Sequence, residues 1–213
     1  MSRYLDHVGA LARKDLLLEL RARETLPAMV LFVLATFVTF HFALPSNVGK
    51  RAPAGLLWVA LVFTLLVGLA RSFAPEREQH TLEALLLAPC DRSAIWLAKT
   101  LAALVFLVAV ELVALPAQQL FFGGMSGAAL AAVALADLGL CALGALVAAM
   151  ASAGSARELV LPLVFLPLAL PAVAAGVGAT VAARPGRFLG FLGLYDTVFA
   201  ILCWAFFEYV VSE

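Results

Sequence analysis

Charge is what this sequence has least of. Asp, Glu, Lys and Arg make up 13% of its 213 residues, against 64% hydrophobic, and the mean hydropathy is +1.05. Soluble domains carry about 25% charged and about half apolar residues, so this chain cannot coat a water-facing globule. Its composition is that of an integral membrane protein. There is no surplus of either sign: 14 basic residues balance 14 acidic ones without a long basic run, which excludes nucleic acid as a main partner. Cysteine is scarce, and Cys90, Cys141 and Cys203 form no C-x-x-C pattern, which excludes a disulfide-stapled secreted domain.

Catalytic motifs are missing as well. No G-x-x-x-x-G-K-[ST] loop is present to cradle a nucleotide. No G-x-S-x-G elbow is present for a serine enzyme. Tyr195-Asp196 lacks the G-x-G-D partner of an intramembrane aspartyl protease, and His7, His41 and His80 make no pair at helical spacing for a metal. The chain reads as non-catalytic, with any energy supplied by a partner or an ion gradient.

What the chain does have is long apolar runs divided by clustered charge. Nine charged residues fall within 1–24 and eight between Arg71 and Lys99. Crossing a hydrocarbon core takes about 20 apolar residues, and six such runs are present, at about 26–44, 54–73, 94–121, 128–152, 159–182 and 188–211. They are continuous rather than alternating, so helices are expected and not barrel strands. Residues 1–25 form a separate amphipathic piece ahead of a transmembrane domain at 26–213. With six spans both termini share a side, which holds ten Lys and Arg residues against four on the other. That excess places both termini in the cytoplasm.

Residues 3–23 read as an interfacial helix. At about 100° per residue, Leu5, Val8, Leu11, Ala12, Leu16 and Leu20 share one arc, opposed by Arg3, Arg13, Lys14 and Arg21. Such a helix lies in the headgroup plane with its cations near anionic membrane lipid. Asp15 and Glu19 intrude into the apolar arc and Leu17 leaves it; the two carboxylates face either a partner or the water edge. The segment 74–93 joins the second and third spans. Pro75, Glu76 and Glu78 suit a helix start, and Pro89 ends it. Leu82, Leu85 and Leu86 line one face beside Glu83. An acidic helix with an apolar ridge suits the groove of a partner, or else folds back on the bundle.

Ionisable residues at membrane depth are costly and mark function by default. Glu111 and Gln118 are seven residues apart on one face of the third span, Asp137 lies in the fourth, Asp196 in the sixth, and His41 closes the first. Glu111, Gln118 and Asp137 line a polar cavity, or such groups tie helices together by hydrogen bonds. Pro162, Pro167 and Pro171 bend the fifth span, since each removes a backbone bond.

The arrangement of an interfacial helix, six spans and a short docking helix resembles the permease half of an ABC-2 exporter. Four stretches narrow the resemblance: Arg13-Lys14-Asp15-Leu16, Gly55-Leu56-Leu57-Trp58-Val59, Thr81-Leu82-Glu83-Ala84-Leu85-Leu86-Leu87-Ala88-Pro89 and Val160-Leu161-Pro162-Leu163. They resemble the haem exporter protein B family (CcmB) of cytochrome c maturation, departing from its pattern at His80, where a glycine is expected. The resemblance implies an all-α integral membrane subunit of the bacterial inner membrane, with a cytoplasmic coupling helix in 74–93. It implies a cytoplasmic ABC ATPase that carries the ATP-Mg, a tryptophan-rich haem-handling membrane subunit, a small single-span subunit and a periplasmic haem chaperone. Trp58, Trp96 and Trp204 are widely separated and make no tryptophan-rich haem motif. Haem is therefore expected to be handled by the complex and not bound by this chain alone. Three alternatives remain: an ABC-2 permease for a lipid, drug or polysaccharide, a proton-coupled transporter relaying through Glu111 and Asp137, and a scaffold.

Overall fold

The fold comes from a computed structural model that describes residues 2–23, 25–45, 47–73, 91–153 and 157–212. Among these residues seven helices follow in chain order: α1 (Ser2–Ala22), α2 (Thr25–Ala43), α3 (Arg51–Arg71), α4 (Arg92–Phe121), α5 (Gly127–Ala153), α6 (Arg157–Val181) and α7 (Gly186–Ser212). No strand occurs among the described residues. Helices α2 to α7 are each long and apolar enough to cross a membrane. Their continuous apolar runs leave the backbone no partner in lipid except its own i−4 carbonyls, which dictates helices.

Helix α1 stops where Arg23 takes the left-handed conformation (φ 56°) and its N–H returns to the Glu19 carbonyl. A left-handed residue of this kind commonly caps a helix C-terminus. Helix α4 spans 30 residues, which is about 45 Å against a hydrocarbon core of about 30 Å. Helix α1 packs against the start of α4: Val8 and Ala12 are buried on Ala94 and Ala98, and the Tyr4 hydroxyl meets Ser93 Oγ at 3.1 Å. The apolar arc expected for α1 thus divides in two. Val8 and Ala12 face α4, while Leu5 and Leu20 remain exposed.

Helix α5 is the hub, touching α3, α4, α6 and α7. Two thirds of its span (67%) is buried, against 17% for α2 and α7, which lie at the edges. Buried Ala132, Ala136, Ala145, Ala148 and Ala149 let neighbouring backbones come close. The Leu69 side chain fills the space beside Gly144, and the Trp58 ring lies directly on Gly176. Trp58 Nε1 donates to Thr180 Oγ1 (3.3 Å), and Trp96 Nε1 donates to the Ala142 carbonyl (3.0 Å), tying α3 to α6 and α4 to α5. Helix α6 runs unbroken through Pro162, Pro167 and Pro171, and α4 through Pro116. The Tyr195 hydroxyl of α7 donates to the Leu168 carbonyl within that proline-rich stretch (3.0 Å).

Candidate functional site

Two charged contacts join α1 to the ends of the helices that flank segment 74–90. Lys99, two turns into the half of α4 that α1 covers, has a side chain only 3% exposed. Its ammonium donates to the Ser72 carbonyl at 2.6 Å, pairs with Asp15 Oδ2 at 3.1 Å, and lies 4.7 Å from the centre of the Phe73 ring. One cation therefore connects the end of α3, the start of α4 and the middle of α1. A second contact lies one turn further along α1. Glu19 accepts from the Thr25 hydroxyl and faces the Arg71 guanidinium at 3.9 Å. Asp15, Glu19, Thr25 and Ser72 border a cavity of about 40 Å³ between α1, α2, α3 and α4, room for a water or two. The two carboxylates that spoil the apolar arc of α1 face these cations.

A second group lies in the bundle interior. Glu111, Asp137 and Asp196 each sit ten residues from the same-side end of α4, α5 and α7, a depth of about 15 Å. Glu111 and Asp137 are both buried and their carboxyl groups interact across the α4–α5 contact. The Asp196 carboxyl packs on the backbone of Gly139, two residues beyond Asp137, so a Cβ at Gly139 would collide with it. Cys141 is buried beside the Glu111–Asp137 pair. No set of three His, Cys, Asp or Glu side chains suited to a metal ion occurs among the described residues.

Gln118 stands apart from this group. Its Nε2 donates to the Pro53 carbonyl (3.2 Å), and it borders a cavity of about 130 Å³ with Lys50, Leu57, Phe122 and Thr180, at the end of the bundle opposite the α1 contacts. The adjoining turn uses Gly123 and Gly124 at φ 65° and 75°, a conformation that excludes most side chains. Gln119 Oε1 accepts from the Met125 N–H to hold it (2.9 Å). His41 lies at the same end, its Nδ1 3.0 Å from the Phe121 carbonyl. Glu76, Glu78, Leu82, Glu83, Leu85 and Leu86, expected to form the docking helix, lie outside the described residues.

Sequence reasoning placed Glu111 with Gln118 and treated Asp196 separately; the structure puts Asp196 with Glu111 and Asp137 and sets Gln118 elsewhere. It did not single out Lys99, which pairs with Asp15. The available signal was the pair of carboxylates on the apolar arc of α1, since buried acids need cations and Lys99 lies inside a helix that has few other charges.

These features define a class: an all-α membrane protein with six long apolar helices among the described residues and an N-terminal helix ion-paired to them. The sequence pattern described as CcmB protein matches residues 7–206, and the chain belongs to the CcmB family. Membership makes it a haem-exporter permease component of the ABC-type system for cytochrome c maturation. Comparison with curated protein sequences gives no significant match.

Proposed function

We propose that the chain is the mechanical transmembrane subunit of this complex, driven by ATP hydrolysis in a separate cytoplasmic ATPase. The partner's groove takes Leu82, Leu85 and Leu86 from segment 74–90, while Glu83 fixes their orientation. Both termini and this segment are cytoplasmic. When the ATPase closes on ATP-Mg, the segment moves, and its two flanks move with it. The observation that carries the reading is the Lys99 contact, which couples both flanks to α1 through Ser72 and Asp15. The bundle then rearranges, bending at the proline-rich α6, and the rearrangement releases the haem-loaded periplasmic chaperone from a neighbouring haem-handling subunit.

The test is co-purification. Leu85→Asp or Leu86→Asp places a charge on the apolar ridge, and the ATPase is expected to be lost from the purified chain while the chain still inserts in the membrane. Wild-type recovery of the ATPase with either variant refutes the docking assignment.

A second reading draws on the common depth of Glu111, Asp137 and Asp196. Three carboxyls in one layer suit a proton-coupled transporter, which would work without any ATPase.

A further inference from the structure

His41 has a fixed tautomer and an unused nitrogen. The Phe121 carbonyl can only accept, so the Nδ1 3.0 Å away donates its proton to it. In the neutral ring, Nε2 then holds the lone pair. A backbone carbonyl on one ring nitrogen is the contact that orients metal-binding histidines and strengthens the other nitrogen as a ligand. Among the described residues nothing pairs with Nε2.

The ring is exposed at the end of α2, and three phenylalanines surround it. The centroids of Phe42, Phe121 and Phe122 lie 5.5, 5.3 and 5.9 Å from its own. Phe42 is 82% exposed, so an apolar platform stands open beside the free nitrogen. Phe122 also borders the cavity that Lys50 lines, so a cation lies at the same end of the bundle. One nitrogen ligand, flat apolar surface and a nearby cation together match a planar iron macrocycle that bears carboxylates.

We propose that His41 Nε2 is an axial ligand for ferric haem at the outer end of the bundle, with Phe42, Phe121 and Phe122 packing the porphyrin edge and Lys50 meeting a propionate. The Nε2 lone pair forms the bond to iron as an axial water leaves to solvent, with no change in oxidation state. The proposal rests on the reading of this chain as part of a haem-handling complex. It departs from the sequence expectation that haem touches only the rest of that complex.

The full chain in lipid nanodiscs is titrated with hemin while the Soret band is followed, using wild type, His41→Ala, His41→Gln and His7→Ala. Wild type and His7→Ala give a saturable Soret shift with the spectral signature of histidine-ligated ferric iron. His41→Ala loses the shift and binds at least about tenfold more weakly, the loss that accompanies removal of ordering contacts at metal sites. His41→Gln retains a donor for the Phe121 carbonyl, so it melts like wild type yet loses the same spectral feature, which separates ligation from folding. A wild-type chain without the shift, or a His41→Ala chain that keeps it, overturns the proposal. ATPase recovery by the same preparations reads the docking assignment independently, so the two can fail separately.

Discussion

Lys99→Met keeps the aliphatic stem of the side chain but withdraws the cation from Asp15, the Ser72 carbonyl and the Phe73 ring. Removing one partner of a buried, hydrogen-bonded ion pair costs about 3–5 kcal/mol, because the remaining charge is left uncompensated. Asp15 is 11% exposed and also contacts Lys14 at 3.2 Å. Both facts favour the low end, about 3 kcal/mol. At about 2–4 °C per kcal/mol for a chain of this size, the melting temperature should fall by about 6–12 °C. Removing both charges, in Asp15→Leu with Lys99→Met, leaves no buried charge without its partner and should recover most of the loss. Thermal unfolding in detergent, followed by tryptophan fluorescence, reads all four corners of this cycle. Lys99→Met within about 2 °C of wild type, or a double variant no better than the single, would refute the argument. A functional readout accompanies the cycle: ATPase co-purification should persist in Lys99→Met while cytochrome c assembly falls.

Two further outcomes follow from the bundle interior. Gly176→Ala drives a methyl group into the Trp58 ring and should cost about 1–3 kcal/mol; a lowered melting temperature with shifted tryptophan emission checks it, and wild-type melting contradicts it. Glu111→Gln preserves shape but removes an ionisable group from the layer with Asp137 and Asp196, and should lower cytochrome c assembly at unchanged expression. Unchanged assembly would reduce Glu111 to a packing group.

The spans were legible because their signal is local. Each is a run of apolar residues long enough for the bilayer, and helices α2 to α7 cover those runs to within a few residues. The meaning of Asp15 and Glu19 was not legible, since Lys99 and Arg71 stand far away in sequence and only the fold brings them to α1. Glu111 and Gln118 show a different limit. Seven residues put two side chains on one helix face, but also about 10 Å apart along it. Gln118 consequently reaches Pro53 near the helix end, while Glu111 meets Asp137 in the middle. Asp196 joins the latter through Gly139, whose missing side chain makes the space. A lone glycine in an apolar helix gives no hint of which neighbour fills it.

The central claim is that this chain transmits work from a separate ATPase, and a gentle-detergent pull-down of the tagged protein from native membranes tests it most directly. Mass spectrometry should recover a partner with a G-x-x-x-x-G-K-[ST] nucleotide loop together with a tryptophan-rich haem-handling membrane protein. Recovery of the chain without any such ATPase would contradict the account, and would turn attention to Glu111, Asp137 and Asp196 as a proton-coupled site.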